Sequence, residues 1–121
     1  MAKLHVKKIP QEYAERAVLV GVKRPNQQWP TESSLAELER LAQTAGAEVV
    51  ATTFQRLESP NPRTFIGSGK VDEVAQLCRS YAADLVIFDD ELTPSQQSNL
   101  EKQVGKDIKI IDRTALILDI F

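Results

Sequence analysis

Four groups of residues have types and spacings suited to chemistry. Gly67-Ser68-Gly69-Lys70 opens a helical pattern. A glycine-rich helix start leaves free N–H groups that can hold a phosphate, here with a lysine beside them. A nucleoside-triphosphate loop needs Gly-x-x-x-x-Gly-Lys-Ser/Thr. Thr64 stands at the first glycine of that pattern and Val71 at its hydroxyl residue, and Asp72 breaks a Gly-x-Gly-x-x-Gly fingerprint. A weak phosphate cradle and a tight turn remain, and the turn is favoured because glycine is commonplace at loop–helix junctions. Asp89, Asp90 and Glu91 form the second group. Their oxygens suit Mg²⁺, but consecutive acids before a helix also complement its dipole. With no further ligand evident, the dipole reading is favoured and no metal site is assigned.

The third group is cationic and aromatic. Lys23, Arg24 and Trp29 share one loop, and Arg63 and Lys70 extend a basic edge. Such a combination suits RNA contact. The competing reading is a solvated loop with Trp29 folded onto the domain, since a single tryptophan rarely stays bare. The fourth group is two isolated side chains. Cys78 falls on an apolar helical stripe, which makes it a packed thiol rather than a nucleophile. His5 has no evident partner. No catalytic residue is assigned, because paired carboxylates need a partner group and a pocket.

The elements that position these residues alternate in kind. Residues 17–22 and 85–88 are unbroken apolar runs, as expected of strands covered on both faces. Residues 47–56 and 108–111 have strand character interrupted by Glu48, Thr52, Thr53 and Lys109, as expected at sheet edges. Helical periodicity appears from residue 31 to Gly46, over about 70–81, and over 93–104. Ser34 and Glu37 have capping-box spacing, with Thr31 or Ser33 as alternative caps. Thr93, Pro94 and Gln96 make a complete helix start. The third helix offers chiefly Leu100 and Val104 as apolar residues, so light packing is expected there. Residues 57–68 form a long connection with Pro60 and Pro62. Strand–helix alternation predicts an α/β fold with a four-stranded, mainly parallel sheet and helices on both faces. Placing the apolar strands centrally gives the order 2-1-3-4. A crevice then opens where the order reverses, with Lys23 and Arg24 facing Asp89, Asp90 and Glu91.

Bulk properties exclude several classes. A chain of 121 residues is one domain with one real core. A net charge of −2 argues against attachment to nucleic acid by bulk positive charge and leaves a local basic patch open. No apolar run approaches the length that spans a bilayer. Lys3, Lys7 and Lys8 are not followed by a signal-peptide apolar stretch. One cysteine permits no intramolecular disulfide, which fits a reducing cytoplasm, and one histidine excludes a Cys/His zinc cluster. Residues 1–15 read as a polar arm in which Leu4 and Val6 allow a short edge strand. Residues 16–112 form the α/β unit. Asp112 can cap a last helix at 113–121, whose Ala115, Leu116, Ile117, Leu118, Ile120 and Phe121 are too apolar for a domain of this size to cover. The expectation is a helix that continues beyond the chain, with its exposed face a possible dimer contact.

Five ordered stretches together resemble the HflX family of ribosome-associated GTPases. They are Arg16-Ala-Val-Leu-Val-Gly-Val22, Thr44-Ala-Gly-Ala-Glu-Val-Val50, Phe65-Ile-Gly-Ser-Gly-Lys-Val-Asp-Glu-Val74, Asp84-Leu-Val-Ile-Phe-Asp-Asp-Glu-Leu-Thr-Pro-Ser-Gln-Gln97 and Asp112-Arg-Thr-Ala-Leu-Ile-Leu-Asp-Ile-Phe121. The loop at 23–30 lies outside the likeness. The resemblance implies an N-terminal α/β domain, followed in the family by a helical hairpin and a GTPase domain that uses GTP and Mg²⁺. It implies a cytoplasmic protein that binds the large ribosomal subunit and helps split or rescue stalled ribosomes under stress. The phosphate loop, the Asn-Lys-x-Asp motif and the Asp-x-x-Gly switch are all missing from this sequence. Hence the expectation that this stretch is not itself catalytic and holds no cofactor, with nucleotide binding at Gly67, Ser68, Gly69 and Lys70, or a structural spacer, as the rival readings.

Overall fold

Two apolar runs set the centre of the fold. In a computed structural model, which describes residues 14–120, the elements are β1 (Arg16–Lys23), α1 (Thr31–Thr44), β2 (Glu48–Arg56), α2 (Ser68–Ser80), β3 (Leu85–Phe88), α3 (Pro94–Val104), β4 (Lys109–Asp112) and α4 (Arg113–Ile120). The sheet has the order β2-β1-β3-β4, and every pairing is parallel. The expected α/β class and strand order are therefore found. Most of the arm at residues 1–15, with Leu4, Val6 and His5, lies outside the described residues, as does Phe121.

Alternation along the central strands feeds two cores. Val18, Val20, Val22, Val86 and Phe88 face α2 and α3, where Val71, Val74, Cys78 and Leu100 meet them. Ala17, Leu19, Leu85 and Ile87 face α1 and α4, against Leu35, Leu38, Ala42 and Leu116. All four side chains of β3 are buried, each contributing about 2 kcal/mol by removal of apolar surface from water. Gly21 lets α1 approach the sheet closely. A Cβ there would stand 3.0 Å from Leu35 Cδ1 and 3.2 Å from Leu35 Cδ2 and Cγ.

Helix starts follow the sequence in one case and depart from it in another. Thr93 caps α3: its Oγ1 accepts from Gln96 N at 3.1 Å, and Gln96 Oε1 accepts from Thr93 N at 2.9 Å. The caps expected for α1 at Ser34, Thr31 or Ser33 do not form, because Pro30 occupies the N-cap and no side chain caps the helix. Thr31 Oγ1 instead accepts from Gln27 Nε2, and Ser34 is engaged by Arg113 from the far end of the chain. As expected, α3 is largely exposed and packs chiefly through Leu100 and Val104, to which Gln96, buried against the preceding connection, is added. In α4 only Leu116 is buried, while Leu118 is 72% exposed.

Candidate functional site

The C-terminal ends of the four strands gather the polar residues of interest along one edge. The loop after β1 is wound around Gln27. Its Oε1 accepts from Arg24 N at 2.8 Å, while its Nε2 donates to Trp29 O at 2.8 Å and Thr31 Oγ1 at 2.7 Å. Asn26 takes a left-handed backbone to complete the turn. This winding leaves the Trp29 ring outside: it is 72% exposed. The expected folding of Trp29 onto the domain is thus overturned, because the Gln27 side chain and not the indole closes the loop.

The crevice between β1 and β3 is bridged in part as expected. Arg24 Nη1 lies 3.4 Å from Asp90 Oδ1, and its guanidinium stands 5.6 Å from the Phe65 ring centre. Lys23 does not face the acidic group. Its Nζ reaches Glu32 Oε2 at 2.9 Å and lies 5.3 Å from the centre of the Phe54 ring. Side-chain parity explains the split, since Lys23 follows Leu19 and Gly21 onto the α1 face of the sheet. Burial pushes the Asp90 carboxyl above its ordinary range, Asp89 adds to this, and Arg24 opposes it.

Asp89 has a different partner. Arg113 Nη2 and Nε both donate to Asp89 Oδ1, at 2.7 and 3.0 Å. The same guanidinium donates to Glu37 Oε1 at 3.0 Å and to Ser34 O at 2.9 Å. Burial works against the charge of Arg113, but the bonds to Asp89 and Glu37 prevail and hold its pKa above the ordinary value. Asp112 supports the same corner: Oδ2 accepts from Leu92 N and Oδ1 from Ala115 N, both at 2.9 Å, so it caps α4 as expected. Asp89 and Asp90 are thereby held by Arg113 and Arg24, while Glu91 is exposed. Among the described residues, no cluster of three or more His, Cys, Asp or Glu is placed to hold a metal.

The Gly67–Lys70 turn is built into the sheet. Gly67 N donates to Gln55 Oε1 at 2.9 Å, and a Cβ on Gly67 would lie 3.2 Å from Gln55 Nε2. Lys70 Nζ is tied to Thr53 Oγ1 at 2.9 Å and to both oxygens of Glu73, at 3.0 and 3.1 Å. That bond holds the Glu73 carboxyl below its ordinary range. Ser68 and Gly69 are exposed, and no side chain caps α2. The 57–67 connection is ordered by Asn61, which bridges to Phe65 and accepts from Arg63 N and Thr64 N. Arg63 is exposed, and α3 grips its carbonyl through Asn99 Nδ2. Cys78 is 3% exposed and burial pushes its thiol up, as befits a packed side chain.

Sequence reasoning missed Arg113, and it missed Arg56. Arg56 ends β2 beside Lys23 and lines a groove of about 380 Å³ with Lys23, Arg24, Pro25, Leu57 and Glu58. The register of β1 on β2 was the missing signal, and pairing register is not written locally in either strand.

Fold and edge together define a class: a doubly wound parallel α/β domain whose loop edge carries cations, an exposed aromatic and no catalytic constellation among the described residues. Residues 32–121 match the profile of the GTP-binding GTPase N-terminal family. The chain belongs to that family, as an N-terminal domain of the HflX type. It is 47% identical over 108 residues to GTPase HflX of Flavobacterium psychrophilum, covering 88% of this chain and 26% of that protein. It is 47% identical over 113 residues to GTPase HflX of Alkalihalophilus pseudofirmus, covering 93% of this chain and 26% of that protein. With GTPase HflX of Escherichia coli it shares 40% over 87 residues, covering 72% of this chain and 20% of that protein. The chain thus spans about a quarter of the length of the curated relatives it matches. Among solved structures, a GTP-binding protein of Sulfolobus solfataricus in complex with GDP superimposes with a TM-score of 0.65 at 20% identity, covering 88% of this chain and 30% of that one. The likeness to that structure establishes the fold.

Proposed function

We propose that this chain is the ribosome-contacting and regulatory domain of an HflX-type GTPase, and does not itself hydrolyse GTP. In this reading the GTP and Mg²⁺ chemistry belongs to the larger part of the protein. The whole protein works in the cytoplasm, binds the large ribosomal subunit and helps split or rescue stalled ribosomes under stress. The domain packs against its own GTPase domain and helical hairpin, and the exposed face of α4 suits such packing or a dimer. No helix among the described residues is long and apolar enough to cross a membrane.

The observation that carries the reading is the bare Trp29 in a cationic loop. An indole held away from its own core, in the loop that follows Lys23 and Arg24, loses apolar burial that a base or a partner surface would restore. The charge is local, as the acidic balance of the chain requires. Of the four cations expected to touch RNA, Arg63 is exposed, Lys23 and Arg24 are half-buried and paired, and Lys70 is engaged by Thr53 and Glu73.

Co-sedimentation with isolated large subunits tests this. Trp29→Ala, and charge reversal at Lys23, Arg24, Arg63 and Lys70, are expected to weaken pelleting by about tenfold or more, the scale of one lost stacking contact or several phosphate contacts. Pelleting unchanged in both variants would remove docking through these loops. The rival is nucleotide binding at Gly67, Ser68, Gly69 and Lys70, favoured by the uncapped N-terminus of α2. ATP or GTP binding that disappears in Lys70→Ala would support it.

A further inference from the structure

The last helix is lightly seated. Of the eight residues of α4 only Leu116 is buried, with Ile120 packed beside it against the α1 core. Its first residue, Arg113, supplies the polar hold. Nη2 and Nε donate to Asp89 Oδ1 at 2.7 and 3.0 Å, Nη1 donates to Glu37 Oε1 at 3.0 Å, and Nη2 donates to Ser34 O at 2.9 Å. Ser34 and Glu37 also line a hollow of about 360 Å³ whose other walls are Trp29, Ser33 and Arg40. One guanidinium thus braces both the start of α4 and the hollow beside the exposed indole. The loop that carries Trp29 is reached by a second route. Asp89 adjoins Asp90, Asp90 Oδ1 lies 3.4 Å from Arg24 Nη1, and Arg24 N donates to Gln27 Oε1, whose Nε2 donates to Trp29 O. Burial raises the Asp90 carboxyl, and Arg24, Asp89 and Arg113 all act on it, so the four charges form one group.

We propose that Arg113 couples the seating of α4 to the shape of the Trp29 loop, so that a displacement at either end is felt at the other. The coupling is a property of this chain alone and stands whether or not the ribosome-contact reading holds. Its basis is the cost of a bare buried charge. The Asp89 side chain is 9% exposed and cannot exchange its cation for water cheaply. When α4 lifts, Arg113 leaves with it, and two adjacent carboxylates share one guanidinium, that of Arg24. The Arg24–Asp90 contact is long, with room to close. Closing it pulls on the Arg24–Gln27 bond that winds the loop. Ser34 and Glu37 lose their brace in the same step, so the wall of the hollow is released as well. In the opposite direction, drawing Arg24 out of the crevice leaves Asp89 and Asp90 to Arg113, which then holds α4 harder. Linkage makes the two directions equal in size. A pair that served stability alone would weaken all elements alike when lost.

The test is amide hydrogen exchange on this chain, read residue by residue by NMR. The Arg24 amide, held by Gln27, reports the loop, and the Ala115 amide, held by Asp112 Oδ1, reports α4. Leu116→Val loosens α4 without touching Arg113 or its partners. It is expected to speed Arg24 exchange about fivefold or more, the lower end of measured couplings between sites. Gln27→Ala loosens the loop from its own side and is expected to speed Ala115 exchange by a similar factor. In an Arg113→Ala background neither substitution adds anything at the far end. Arg113→Lys, which keeps the charge but not the planar fork, takes its place if the alanine variant does not fold. Val104→Ala opens a cavity in the other core and controls for general loss of stability. It is expected to leave both amides at their wild-type rates. Four results would each overturn the coupling: wild-type Arg24 exchange in Leu116→Val, wild-type Ala115 exchange in Gln27→Ala, transmission that persists without Arg113, or equal acceleration in Val104→Ala. The experiment contains no ribosome, so its failure leaves docking to be judged by pelleting.

Discussion

At the scale of single residues, Arg113 does the most to set the geometry of the functional edge. One guanidinium joins the end of β3, the first turns of α1 and the start of α4. Asp89 depends on it, being 9% exposed as a side chain with both short donors coming from Arg113. Arg113→Ala leaves that carboxylate without its cation, and the expected loss is about 2–3 kcal/mol of unfolding free energy. Urea denaturation checks this, and a loss below about 0.5 kcal/mol would show that solvent replaces the pair. None of this was legible in the sequence. Asp89 reads locally as a helix-dipole partner, and its true partner lies twenty-four positions away. Trp29 was misread for a related reason. Burial of a lone tryptophan is the sound expectation, but Gln27 closes the loop through backbone and hydroxyl groups and leaves the ring no work inside.

Among the elements, legibility tracks how local the determining contacts are. The start of α3 was readable because its capping box is complete within Thr93 and Gln96. Thr93→Ala should therefore cost about 1 kcal/mol, seen as a lower urea midpoint at unchanged slope. An unchanged midpoint would mean that Gln96, which also donates to Asn61 O, holds the helix start alone. The start of α1 was not readable, since the serine expected to cap it is claimed by Arg113. The order within the 57–67 connection was not legible, because its prolines mark only where regular structure stops. Its order comes from Asn61 within the loop and from Gln96 and Asn99 on α3. The exposed side of α4 was anticipated from composition alone, as eight residues with Leu118 bare have too little domain to cover them.

For the molecule as a whole, the strand order followed from two unbroken apolar runs, because a strand buried on both faces has no place at an edge. That reasoning also placed the crevice where the order reverses, and the loops after β1 and β3 do meet there. It did not reveal how the cations divide between the faces of the sheet, which depends on register: Lys23 and Arg56 fall side by side next to Phe54, and Arg24 turns toward Asp90. Docking through this edge is tested most directly by hydrogen–deuterium exchange of the chain with and without large ribosomal subunits. The predicted result is slowed exchange in residues 23–30 and 52–57 on subunit binding, with the opposite edge around Gly46, Ala83 and Gly105 unchanged. Slowing confined to that opposite edge, or exchange identical with and without subunits, would contradict it.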